Sequence, residues 1–236
     1  MRSEEIEMKI ISIRKGFTSD HSSTSYEFLA LDKALGKNER AEVASLSSRA
    51  RPTSRRVSFI YHVEGYDIPG GWEKLMEKYY DVMYSESYDW WTFVLAFNTG
   101  PEQIEELRKY EFTGEDDLGI TVRNKDRRVI IEINCRIDTD YLCEITEHGY
   151  EEEEDEGEDA GKDTVVLAGD ELLNLLTKVR QQLMHGDYRT LYAVWGQYGF
   201  TEDEESDEEF QIPIPPEKKT GQNIVEQFKN ILGEME

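Results

Sequence analysis

The sequence predicts an α+β protein, with a mixed or antiparallel sheet and packed helices followed by a C-terminal helical appendage, an αα-hairpin and a final amphipathic helix. Three observations carry this prediction. Period-two segments take turns with segments whose apolar residues recur at three and four, giving strand, helix, strand, helix, strand, helix and hairpin. Behind them lie three apolar stripes at helical spacing. The chain, 236 residues with 38% apolar side chains, is also long enough to bury a core of its own.

Residues 8–13 alternate weakly and suit a strand, 16–25 are rich in Ser and Thr and suit a loop, and 26–31 suit a second strand. Residues 35–48 place Val43 and Leu46 at helical spacing and end before Pro52, which turns the residue ahead of it away from helix. Val57, Phe59, Tyr61 and Val63 alternate with Ser58, Ile60 and His62, the pattern of a strand with one buried face, and Gly65, Pro69, Gly70 and Gly71 break it. Trp72, Leu75, Met76, Tyr79 and Met83 recur at three, four and seven and predict one amphipathic helix across all five. Residues 90–97 form an apolar run too short for a helix, which predicts a central strand.

Pro101 suits the first turn of the next helix, with Glu102 near its positive end and Arg108 and Lys109 near its negative end. Residues 118–122 and 129–133 flank the turn Asn124-Lys125-Asp126 as a hairpin. Asp170 is placed to cap a helix striped by Leu172, Leu173, Leu176, Val179 and Leu183, which Gly186 ends. Asp187 is placed to cap the next, whose face holds Tyr188, Leu191, Trp195 and Tyr198. Pro213, Pro215 and Pro216 make an extended spacer, and Ile224, Val225, Phe228, Ile231 and Leu232 stripe the last helix. That stripe must dock, either on the chain's own sheet or on a partner. The expected organisation is an α+β domain over 1–149, an acidic loop over 150–164, the αα-hairpin over 165–199, an acidic and Pro-rich linker over 200–219, and the last helix over 220–236.

Charge bounds the partners. The formal net charge is −24. Residues 1–140 hold 20 Lys+Arg and 26 Asp+Glu, and the remaining residues hold 7 and 25, so three quarters of the excess lies in the last two fifths. Residues 151–159 hold eight carboxylates in nine positions and residues 202–209 hold seven in eight. Such runs repel themselves and lack apolar residues to bury, so they read as solvated loops, as a surface for a basic protein partner, or as an imitation of a phosphate backbone. Direct nucleic-acid binding is disfavoured, because a polyanion is repelled over a Debye length. No apolar run reaches membrane-spanning length, the N-terminus lacks the apolar core of a secretory signal, and the only two cysteines, Cys135 and Cys143, do not make a disulfide framework. The expected compartment is the cytoplasm.

Two clusters are candidate binding sites. His21 stands among hydroxyls, with Ser22, Ser23 and Ser25 close by, and can act as a base towards a neighbouring serine if a third group orients it. Hydroxyls that turn back onto their own backbone explain the same composition, and no Gly-x-Ser-x-Gly elbow is present. Arg49, Arg51, Arg55 and Arg56 form the basic cluster, suited to a phosphate or carboxylate, including a carboxylate of this chain, or to solvent. Nine aromatic residues fall between Trp72 and Phe97; stacking on bases or sugars is one use, and core packing is the use their spacing favours. Cys135, Cys143 and His148 lack the close pairs of a zinc site, and the acidic runs lack EF-hand spacing, so no metal is expected. No phosphate-binding glycine motif appears, so no cofactor is expected either.

Residues 26–30 (Tyr-Glu-Phe-Leu-Ala), residues 46–50 (Leu-Ser-Ser-Arg-Ala), and the joint from Leu183 to Tyr192 with Trp195 resemble an uncharacterised family of bacterial cytoplasmic proteins. The resemblance covers most of the chain. That family has no assigned activity, so the resemblance implies cytoplasmic kinship and no catalytic residue. The Ser-rich stretch over 16–25 also resembles a Ser-rich N-terminal motif of other uncharacterised proteins. Together these readings point to a non-enzymatic acidic interaction protein, an adaptor or accessory subunit of a complex. The alternatives are a hydrolase-like enzyme built on the His21 loop and a nucleic-acid mimic that regulates a basic partner.

Overall fold

Along β1 (Thr24–Leu29), Tyr26 and Phe28 point to one face while Glu27 and Leu29 point to the other, and all four are buried. A strand hidden on both sides belongs inside a sheet. The computed structural model, which describes residues 24–61, 67–87, 90–138, 171–199 and 212–233, places β1 there. Seven strands pair antiparallel throughout in the order β2-β1-β3-β4-β7-β6-β5. The others are β2 (Arg56–Tyr61), β3 (Val82–Ser87), β4 (Trp90–Asn98), β5 (Phe112–Thr113), β6 (Gly119–Lys125) and β7 (Arg128–Cys135). The expected strand over 8–13, the capping Asp170 and both acidic runs lie outside the described residues.

One face is covered by α1 (Lys37–Ala44) and α2 (Glu73–Lys78). Residue Glu39 starts α1 by accepting the Gly36 N–H at 2.6 Å, closing one donor the helix leaves open. Val43 of α1 and Leu75 and Met76 of α2 pack on Tyr26, Phe28, Val57, Phe59, Met83, Val94, Ala96 and Ile130. The helix expected across Trp72 to Met83 stops at Lys78 instead, and Tyr79 leaves helical geometry with φ −129°. The residues beyond it form β3, a strand between β1 and β4 that the sequence reading missed. Its Val82, Met83 and Tyr84 are all buried, and pairing on both sides outweighs the local helical spacing.

The opposite face carries α3 (Pro101–Arg108), α4 (Glu171–Met184), α5 (Arg189–Tyr198) and α6 (Gln222–Ile231). These helices pack on Leu29, Val82, Tyr84, Trp91, Phe93, Leu95, Phe97, Ile131 and Ile133. The β6–β7 hairpin turns through Asp126 with φ +54°. The described protein is therefore an α+β fold with a C-terminal helical region, the sheet lying between two helical layers. None of its described helices is long and apolar enough to cross a membrane.

The last helix docks on its own chain. Phe228 is fully buried with its ring 6.2 Å from that of Phe93, edge to face. Val225, Ile231 and Leu232 are buried beside it, and Ile224 packs at the margin. Main-chain bonds from the Asp138 N–H to the Ile231 carbonyl at 3.0 Å, and from the Gly233 N–H to the Arg136 carbonyl at 2.9 Å, fasten the helix to the end of β7. Five apolar side chains suit this seat because the odd-numbered residues of β4, Trp91 to Phe97, give it a continuous apolar floor.

Candidate functional site

The four arginines of the basic cluster leave the loop in different directions. Arg55 spends its guanidinium on main chain, donating to the Ala30 and Leu31 carbonyls at 3.2 and 2.8 Å. Arg56 turns along the sheet to Glu27, donating through Nε at 3.0 Å and Nη2 at 2.9 Å, while the Ser58 hydroxyl adds a third bond to the same carboxylate oxygen at 2.6 Å. That is how a carboxylate as buried as Glu27 is accommodated in the middle of β1. Arg51 donates to the carbonyls of Ser48 and Ala50, closing its own turn, and Arg49 is exposed. Three of the four are thus bonded within the chain, Arg55 and Arg56 to residues distant in sequence and Arg51 to its own turn, and the cluster is not assembled as one anion cradle.

From the Ser-rich group, His21, Ser22 and Ser23 lie outside the described residues, whereas Ser25 is on β1, opposite Ile60 of β2 and Glu86 of β3. Burial raises the Glu86 carboxyl above its ordinary value. At the strand's start, the Thr24 and Ser87 hydroxyls are 3.1 Å apart.

Two polar networks, neither foreseen from sequence, lie deeper. In the first, the buried Asp81 between α2 and β3 accepts the Leu31 and Asp32 N–H groups at 2.7 and 2.9 Å through one oxygen and Arg128 at 3.0 Å through the other. Arg128 also donates to the Met76 and Tyr80 carbonyls. Arg180, buried within the apolar stripe of α4, donates to the Ala96 carbonyl at 2.7 Å and to Asp32 at 2.6 Å, and stands 3.8 Å from Asp81. A guanidinium reaching from α4 to the end of β4 thereby connects the upper helical layer with the β1–α1 loop.

In the second network Arg189 grips Asp187 through two bonds of 2.9 and 2.7 Å. It also donates to the carbonyls of Lys218 and Thr220, at 2.5 and 2.6 Å, and to the Gln222 side chain at 2.9 Å. Gln182 secures the neighbouring Gly221 carbonyl at 3.0 Å, and Gly221 has φ +70°, a geometry that favours glycine. Burial works against the Asp187 carboxylate, but the Arg189 guanidinium and N–H outweigh it and hold the carboxyl below its ordinary value. The expected role of Asp187 as a helix cap is corrected here: Tyr188 is the capping position, without a side-chain cap, and the Asp187 carboxylate is committed to Arg189. The visible signals for both networks were arginines in apolar company, Arg180 inside a leucine stripe and Arg189 two residues from an aspartate.

Two shallow depressions flank the β6–β7 turn. One, of about 410 Å³, lies among Glu73, Lys74, Glu77, Arg123 and Lys125, where Arg123 meets Glu73 and Glu132 and Lys125 meets Glu77. The other, of about 430 Å³, lies by Thr99, Pro101, Arg108 and Arg127. Among the described residues no group of three or more His, Cys, Asp or Glu is placed to hold a metal ion. Cys135 is a buried free thiol, pushed up by burial away from the thiolate, and His185 is an exposed residue whose Nδ1 lies 2.7 Å from the Gln181 carbonyl. The aromatic residues between Trp72 and Phe97 are mostly interior, the use their spacing favours: Tyr80, Tyr84, Trp91, Phe93 and Phe97 are buried.

Charge is divided between the described body and the rest. The described residues hold 22 Lys+Arg and 23 Asp+Glu, a net charge of −1, so nearly the whole excess of the −24 chain belongs to the other segments. Comparison with known protein families, with curated proteins and with solved structures finds no match.

Proposed function

We propose that this chain is a non-enzymatic acidic interaction protein, an adaptor or accessory subunit of a cytoplasmic complex, which offers its acidic segments to a basic protein partner. The division of charge supports this reading best: a body of net charge −1 is joined to segments with 28 of the 51 carboxylates. An acidic excess spread over the whole surface would serve solubility; one concentrated in a few segments gives a local field that draws a basic surface and raises its association rate. The buried free thiol of Cys135 suits a reducing compartment. The resemblance to a bacterial cytoplasmic family agrees with that placement and brings no activity with it. No observation favours the hydrolase alternative on His21.

The test is purification of the complex from its source at low and at high salt, using the natural chain and a variant with the carboxylates of 151–159 and 202–209 changed to amides. The expected result is a basic partner that leaves at high salt and fails to co-elute with the variant, while the variant's melting temperature matches the natural chain's. Co-elution that survives both changes sinks the reading. If the partner's nucleic-acid binding is displaced by this chain, the reading narrows to a nucleic-acid mimic.

A further inference from the structure

The two edges of the sheet differ. β5 contributes only two residues, whereas β2 contributes six and pairs on one side only, with β1. Arg55 turns its carbonyl to the Ala30 N–H, so the alternation of an extended strand directs the main-chain groups of Val57, Phe59 and Tyr61 towards β1 and those of Ser58 and Ile60 outwards. The outward groups of Arg56 are closed by Thr53, whose N–H donates to the Arg56 carbonyl at 2.8 Å and whose hydroxyl accepts the Arg56 N–H at 2.8 Å. Among the described residues nothing closes those of Ser58 and Ile60, and Ile60 is one of the few exposed large apolar side chains. Natural edge strands are usually protected by proline, a bulge or an inward charge, and the stretch from Val57 to Tyr61 has none of these.

We propose that this edge pairs with the same edge of a second copy of the chain. Among the described residues of this edge only Ser58 and Ile60 are open, which sets the register: the Ser58 of each copy faces the Ile60 of the other, and Phe59 faces Phe59 across the two-fold axis. Four main-chain hydrogen bonds form, and the Phe59 pair occupies the non-hydrogen-bonded position with each ring kept in its own core, so the side chains that meet are the exposed Ile60 of one copy and Ser58 of the other. The symmetry is isologous, so one short strand serves both sides. Charge permits it locally, since the two Arg56 residues fall at opposite ends of the paired segment and the described body is almost neutral. The acidic segments oppose it at long range, so self-association strengthens as salt is added, the reverse of the salt response of a basic partner.

Sedimentation velocity on the full chain, at low salt and at about 0.5 M salt, tests this. A weak dimer that grows with protein concentration and with salt is expected. Ile60→Pro removes an outward N–H and leaves the bonds to β1 in place, so it should give a monomer with an unchanged melting temperature. Ile60→Thr keeps the N–H and should still dimerise, which separates edge pairing from apolar contact. A natural chain that is monomeric at every concentration and salt overturns the proposal, and so does a dimer that persists in Ile60→Pro. If Ile60→Pro lowers the melting temperature, amide exchange of the natural chain decides instead: the Ser58 and Ile60 N–H groups must exchange more slowly as protein concentration and salt rise, and unchanged exchange overturns the proposal.

Discussion

The two faces of the sheet are covered in different ways. On one, α1 and α2 have eight and six residues and place three buried apolar side chains, Val43, Leu75 and Met76, against the strands. On the other, α4 alone has fourteen residues, ten of them buried, and α5 and α6 add further layers. Short helices are not stable by themselves, so α1 and α2 take their order from the sheet and from local closures such as Glu39 on Gly36. The helices of the other face are joined to one another and to the strands by buried guanidiniums, Arg180 reaching Ala96 and Asp32, and Arg189 gripping the segment that leads into α6. The difference teaches that a thin cover leans on the sheet and is tied down at its end, by Arg128 on the Met76 and Tyr80 carbonyls, whereas a thick cover brings polar main chain and charge between its own helices and must satisfy them there.

Breaking the thick face should have the largest effect. Phe228→Ala empties the space beside Phe93 and should cost about 4 kcal/mol, which lowers the melting temperature by about ten degrees. Because the helix docks in cis, the oligomeric state should not change; dissociation of an assembly without loss of stability would contradict this placement. Arg189→Ala leaves Asp187 buried without its partner and releases the Lys218 and Thr220 carbonyls, at a cost of about 3 kcal/mol. Amide exchange should then rise first across 218–225, and a uniform rise over all helices would show that the clamp is not local. Leu75→Ala on the thin face should cost about 2 kcal/mol, since a six-residue helix relaxes into the space more easily. A loss equal to that of Phe228→Ala would erase the contrast between the faces.

Acid sharpens the comparison with the smallest expected effect. The Asp187 carboxyl is held below its ordinary value of 3.8, so its pair with Arg189 contributes fully above that pH, and the contribution fades as pH falls through the folded value. Glu86 has the opposite sign: burial raises it above 4.5, so folding is favoured relatively as pH falls through its raised value and loses that advantage as pH rises. Melting curves from neutral pH down to about pH 3 should therefore show Asp187→Asn less acid-sensitive than the natural chain, and Glu86→Gln more acid-sensitive on the side above 4.5, because it lacks the gain that Glu86 makes there as pH falls. Equal slopes for Asp187→Asn and the natural chain would show that the pair carries none of the acid response.

Much of this fold was legible as periodicity. The alternation of Val57, Phe59 and Tyr61, the run over 90–97, the β6–β7 hairpin and the stripes of α4, α5 and α6 each state which face is apolar, and burial follows most of the same residues, with Tyr61, Tyr188, Trp195 and Ile224 half-buried and Ala193 and Val194 buried in α5 instead. The sequence by itself determined the α+β class, the presence of the C-terminal helices and the unequal distribution of charge, because each depends only on composition and local spacing. Tertiary structure alone decided that Tyr79 to Ser87 leaves the helix and enters the sheet between β1 and β4, because two long-range ladders outweigh a helical spacing that is equally good locally. It alone decided that the stripe around Phe228 is covered by Phe93 of the same chain, since an amphipathic helix states that it needs a partner and not which one. It likewise decided that Arg55, Arg56, Arg180 and Arg189 are structural, because a guanidinium's function depends on which carbonyls and carboxylates the fold brings within about 3 Å, and those partners are far away in sequence.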